Sequence, residues 1–109
     1  TNRTSSLISY YEENDYYESH FDSFMWTCLI WYFKEPKQFK GGDFSFPESG
    51  YTVKLKHNRM VMFPCCYNHQ VTPVKFITPP KETGLGRYTI THFHYTVPLN
   101  QGDPNREIK

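Results

Sequence analysis

Ten consecutive residues at positions 24–33, Phe-Met-Trp-Thr-Cys-Leu-Ile-Trp-Tyr-Phe, are almost wholly apolar, and no other stretch limits the fold so strongly. A bilayer span needs roughly 18 or more apolar positions, so this run is too short to be one. It is rich in aromatic and β-branched side chains and shows no polar face at helical spacing, which suits a strand buried on both faces. Such a strand needs a sheet around it, and the rest of the chain is written in strand-sized pieces. Residues 7–11, 16–20, 43–46, 51–55, 60–63, 69–74 and 87–97 read as short runs. Turn-forming groups separate them, among them Glu12-Glu13-Asn14-Asp15, Gly41-Gly42, 47–50 and His57-Asn58-Arg59. Nowhere does apolar spacing follow a 3.6-residue repeat over a helix-length window. Aromatic residues make up 18% of the chain, with nine Tyr and nine Phe, a bias that favours strands. The expectation is an all-β sandwich or barrel.

A chain of 109 residues makes one domain with a single core. The core is expected over residues 1–97, and 98–109 reads as a polar C-terminal tail carrying Pro98, Gly102 and Pro104. The chain opens on Thr1 rather than Met, as a piece of a longer catalytic domain would, and an upstream targeting segment is left open. With 12 Lys and Arg against 11 Asp and Glu, the formal charge is +1, so no global field draws the protein to nucleic acid or a membrane surface. Three cysteines, two of them adjacent, match neither a disulfide framework nor a zinc-knuckle spacing. They are expected as reduced thiols in a cytoplasmic protein. No signal-peptide pattern and no membrane span is present in this sequence. Oligomeric state leaves no mark on it.

His20 and Asp22 stand two positions apart, so an extended chain turns both toward one side while Phe21 faces the other. An imidazole and a carboxylate so placed can share an ion, but the tripeptide is common by chance and needs a third ligand from a distant strand. His69 opens a strand-like run just after the Pro64-Cys65-Cys66-Tyr67-Asn68 loop, a boundary position suited to a ligand. It could equally be a surface histidine, a core histidine bonded to backbone, or a zinc ligand. Two histidines and one carboxylate form the set that holds non-haem Fe(II) with coordination positions to spare. His57 sits in a turn, and His92 and His94 lie in the last strand without a comparable setting.

The order of these features resembles the 2-oxoglutarate- and Fe(II)-dependent oxygenases. Tyr10 precedes Tyr17-Glu-Ser-His20-Phe-Asp22; then come Leu29-Ile-Trp-Tyr32-Phe, Phe39-Lys-Gly41-Gly42-Asp43-Phe44 and Asn58-Arg-Met-Val-Met-Phe63-Pro64. His69-Gln-Val71-Thr-Pro73-Val74 and Gly86-Arg87-Tyr-Thr-Ile-Thr close the series. Within the superfamily the likeness is to the prolyl 4-hydroxylase-like branch, over roughly residues 7 to 95.

That resemblance implies a double-stranded β-helix, the cupin-like jelly roll, here without the N-terminal helices that usually support it. It implies Fe(II) held by His20, Asp22 and His69, with 2-oxoglutarate and O2 as cosubstrates and ascorbate to keep the metal reduced. Arg87 matches the residue whose guanidinium grips the distal carboxylate, a role that suits its bidentate fork. Without the family context, a surface salt bridge at a strand start would be the first reading of Arg87. Thr89 shares Arg87's strand face and would assist it. Tyr10 and Tyr32 resemble phenols that bond the cosubstrate in relatives, although core packing accounts for either equally. The interval from His69 to Arg87, 87 − 69 = 18 positions, is longer than relatives usually have, the excess falling in 75–86.

The implied reaction is hydroxylation of an unactivated C–H bond with release of succinate and CO2. The implied partner is a prolyl or other residue of a peptide or protein. Free amino acids and small metabolites are the alternative substrates, and a catalytically silent jelly-roll binding module is the alternative outside enzymes. Nucleobase substrates are disfavoured, since relatives acting on bases carry a second arginine shortly after the first and here the next is Arg106.

Overall fold

Side-chain alternation along β3 (Trp26–Tyr32) sets the layers of the fold. Thr27, Leu29 and Trp31 turn inward and are buried, while Trp26, Ile30 and Tyr32 turn outward and are at least partly exposed. The computed structural model describes residues 2–22 and 25–96, with ten strands among them and no helix, hence none long and apolar enough to cross a membrane. The proposed tail at 98–109 and the first residue of the apolar run, Phe24, lie outside the described residues.

Three antiparallel assemblies account for the strands. One sheet has the order β1 (Asn2–Tyr11), β10 (Arg87–Thr96), β3, β7 (Met60–Pro64). The second runs β2 (Tyr17–His20), β8 (His69–Val71), β5 (Phe44–Phe46), β6 (Tyr51–Val53). A two-stranded ribbon joins β4 (Phe39–Gly41) to β9 (Val74–Phe76). The chain passes back and forth between sheets, leaving the first for the second after β1 and returning for β3, as a jelly roll requires. This is the all-β, cupin-like sandwich expected from the sequence.

Phe44 ties the layers together. Its ring lies 5.8 Å from Trp31 and 5.4 Å from Phe63, both in the first sheet, and 5.6 Å from His69 on its own sheet. With Phe39, Val74, Leu29, Phe33 and Leu55 these rings form the buried core. Each such side chain contributes roughly 1.5–3 kcal/mol through removal of apolar area from water. Because His69 packs on Phe44 and Phe63, its position is set by the core rather than by a free loop.

Two local readings change. The apolar run is not buried on both faces: its outer side forms a row Ile8–Ile90–Ile30–Met60 across four paired strands, and Ile8 and Met60 at the row's ends are exposed. The run at 69–74 is two strands, because the chain breaks at Thr72-Pro73 and leaves the second sheet for the ribbon. Proline lacks the N–H a continuing ladder would need. The break is filled by the Gly41-Gly42 turn, whose Gly42 N–H donates to Thr72 O at 3.0 Å. Both glycines have positive φ, +72° and +64°. The long interval before Arg87 is absorbed by β8, β9 and the irregular segment 77–86.

Candidate metal centre

His20 ends β2 and His69 begins β8, and the two are direct partners across the antiparallel pair. That pairing brings their rings to 4.2 Å between centroids. Each imidazole is fixed in the same way: Nδ1–H donates to the carbonyl two residues back, Glu18 O at 2.8 Å for His20 and Tyr67 O at 2.9 Å for His69. A carbonyl can only accept, so the proton sits on Nδ1 and the Nε2 lone pair of each ring is available. Asp22, in the loop after β2, meets both: Oδ1 is 3.7 Å from His20 Nε2 and Oδ2 is 3.4 Å from His69 Nε2. All three ligand atoms lie within 4.8 Å of one another.

Electrostatics favour the ligand form. Burial pushes the His69 pKa below its ordinary 6.5, outweighing the Tyr67 carbonyl and the Asp22 charge, which pull the other way. A neutral imidazole follows, as coordination demands. His20 is more open, and Tyr17 stacks on it at 3.8 Å and 15°. Asp22 is anchored on both sides: its N–H donates to Cys65 O at 3.0 Å, and its Oδ2 accepts from Thr27 Oγ1 at 2.9 Å. No thiol belongs to the ligand group, so the donor set is two nitrogens and a carboxylate, which fits Fe(II) with open positions.

Arg87, first residue of β10, is 1% exposed and makes no ion pair among the described residues. Its Nε donates to Gly42 O at 2.8 Å and its Nη1 to Thr89 Oγ1 at 2.7 Å. The guanidinium lies over Tyr11 at 5.2 Å and Trp31 at 5.8 Å. Nη2 is buried with no hydrogen-bond partner among the described residues. Burial lowers the pKa to about 10, so the group stays cationic at neutral pH. A buried cation with an unused donor is a costly arrangement unless an anion completes it. Thr89, already accepting from Arg87, keeps its own hydroxyl proton for a further acceptor.

One cavity of about 100 Å³ joins these parts: His20, Asp22, His69, Arg87, Thr89 and Tyr11 all line it, with Leu7, Leu29, Val71 and Phe93 as apolar wall. Tyr10 and Tyr32 are elsewhere. The Tyr10 hydroxyl accepts from Gly86 N–H at 3.1 Å and its ring lies 4.6 Å from Tyr88. Tyr32 pairs with Tyr88 in register and turns its edge toward His57 at 5.8 Å. Alternation along β1 explains it, because Leu7, Ser9 and Tyr11 share the cavity face, and a shift of one position reverses the side. Tyr11 and Thr27 are among the cavity residues that sequence reasoning missed; Thr27 had one visible signal, a hydroxyl inside an apolar run. His57 accepts from Phe33 N–H at 3.1 Å, and His92 meets Ser6 Oγ at 2.8 Å, so both serve the framework.

The match to a family model covers residues 6–95 and carries the description 2OG-Fe(II) oxygenase superfamily. No curated protein and no solved structure matches the chain.

Proposed function

Since the chain belongs to the 2OG-Fe(II) oxygenase superfamily, we propose that it hydroxylates an unactivated C–H bond in a prolyl or other apolar residue of a peptide or protein, as the prolyl 4-hydroxylase-like branch does. The cosubstrates are 2-oxoglutarate and O2, the coproducts succinate and CO2, and ascorbate keeps the metal reduced. The observation that carries this reading is Arg87: a buried guanidinium with a spare N–H, in the same cavity as a two-histidine, one-carboxylate set. A small anion with its own metal-binding end fits both halves at once.

Fe(II), when bound, supplies the redox chemistry that couples decarboxylation of 2-oxoglutarate to insertion of one oxygen atom into the substrate. His20 Nε2, His69 Nε2 and one oxygen of Asp22 would hold it. Arg87 and Thr89 take the distal carboxylate of 2-oxoglutarate through charge-assisted hydrogen bonds, which orients the keto acid end toward the metal. Leu29, Val71 and Phe93 keep water from the space between.

The rim of the cavity bears on substrate class. Leu7 and Tyr17 are half-exposed where they border the cavity. A rim of this kind receives an apolar ring or chain held in a peptide better than a charged free metabolite. The experiment is incubation with Fe(II), ascorbate and 2-oxoglutarate and, in parallel, a set of proline-containing peptides or a set of free amino acids and small metabolites, read by mass spectrometry. Gain of one oxygen on a peptide residue supports the proposal. Oxidation confined to free amino acids or small metabolites would overturn the substrate class.

A further inference from the structure

The two histidine ligands are each fixed by a ring N–H on a backbone carbonyl, and each stands on a strand. Asp22 has neither support, since it lies in a loop and its carboxylate has no hydrogen of its own to donate. We propose that Thr27, backed by Cys65, is the positioning residue that orients the Asp22 carboxylate for the metal, an inference that rests on the metal reading of His20, Asp22 and His69.

Thr27 sits in the inner row of β3, is 0% exposed, and shares that row with Leu29 and Trp31. Valine would fill the same volume there without a hydroxyl to bury. Retaining an O–H in such a place is unfavourable unless it is bonded, and here it is bonded twice. Oγ1 is 2.9 Å from Asp22 Oδ2 and 3.0 Å from Cys65 Sγ. An ionised carboxylate only accepts, so the single hydroxyl proton of Thr27 goes to Oδ2. At the other contact Thr27 therefore accepts and the Cys65 thiol donates. The chain runs Cys65 S–H to Thr27 O–H to Asp22 Oδ2, each bond polarising the next.

The backbone repeats the same connection. Asp22 N–H donates to Cys65 O at 3.0 Å, and Cys65 N–H donates to Met25 O at 3.0 Å. Cys65, 1% exposed, thus holds the main chain of the ligand loop directly and its carboxylate through Thr27. One oxygen of Asp22 stays engaged on the protein side, and the rotation of the carboxylate is fixed before a metal arrives. This is the carboxylate counterpart of the carbonyl that fixes each imidazole.

Cobalt(II) is the probe, titrated into wild type and variants and followed by its visible absorption, with thermal melting of the metal-free proteins alongside. Thr27→Val should weaken Co(II) binding by about 10- to 100-fold and change the absorption envelope, while Thr27→Ser retains both affinity and spectrum. The pair Thr27→Ser and Thr27→Ala differs only by the hydroxyl, so it decides the matter if the valine variant does not fold. Equal affinity and equal spectra within that pair would overturn the positioning role. A wild-type protein that binds no Co(II) at all would instead overturn the metal reading beneath it, a distinct result.

Discussion

At the scale of single residues, Arg87 separates a functional group from a structural one. Burial holds its pKa down at about 10, so keeping the cation inside opposes the gain from its hydrogen bonds to Gly42 O and Thr89 Oγ1. Methionine fills similar space with no charge to desolvate, so Arg87→Met should leave the melting temperature within a few degrees of wild type. The same change should weaken 2-oxoglutarate binding more than tenfold, read by calorimetry with Mn(II) present. A large loss of thermal stability with binding intact would make Arg87 a structural cation. His20, Asp22 and His69 could be nominated from residue type and position, whereas Arg87 and Thr89 were singled out only through the family resemblance. Tyr11 could not be told from Tyr10, because only the strand register decides which of two adjacent phenols faces inward. Thr27 stood out as a hydroxyl inside an apolar run, but its role was out of reach: its partners, Asp22 and Cys65, are five and 38 positions away, and nothing in the sequence links them.

Among the elements, the Gly41-Gly42 turn does most to place the Arg87 end of the cavity. It packs into the break between β8 and β9, and Gly42 O receives Arg87 Nε. A Cβ on Gly42 would meet Arg87 Cδ at 2.9 Å and Val74 Cγ2 at 3.0 Å, on a backbone with φ +64°. Left-handed backbone alone costs an L-residue roughly 1–2 kcal/mol. Gly42→Ala should therefore lower the melting temperature by at least about 4 °C and weaken 2-oxoglutarate binding by displacing the guanidinium. Metal affinity should stay near wild type, since none of the three ligands touches this turn; equal loss of both would contradict the division of the site. The glycine pair was visible as punctuation, and the short strands were visible as alternation. The division of 69–74 into two strands was not, because Thr72-Pro73 reads equally as a strand end or an edge until Gly42 is seen to bond it.

For the molecule as a whole, an ion at the candidate metal centre would join an edge strand, a loop and the core. His20 is on an edge strand, Asp22 is in a loop, and His69 is set in the core, so an ion bound by all three couples an edge to the interior. A ligand that binds only the folded state at 100 times its Kd adds about 2.7 kcal/mol. Saturation with Co(II) or Mn(II) should raise the melting temperature by about 10 °C, and a chelator should reverse it; no shift would mean that the ligands do not act together. The jelly roll itself was legible because short runs between turn signals, with no helical period, leave few other architectures. The layer contacts were not, since Phe44 reaches Trp31, Phe63 and His69 only after the sheets close. The central claim is that Arg87 and the three ligands form one working site, and succinate formation from 2-oxoglutarate measures it most directly. With Fe(II), ascorbate and O2 supplied, wild-type protein should form succinate, and His69→Ala and Arg87→Met should each reduce it by at least tenfold. A folded wild-type protein that forms no succinate and shows no Fe(II)-dependent binding of 2-oxoglutarate would contradict the account.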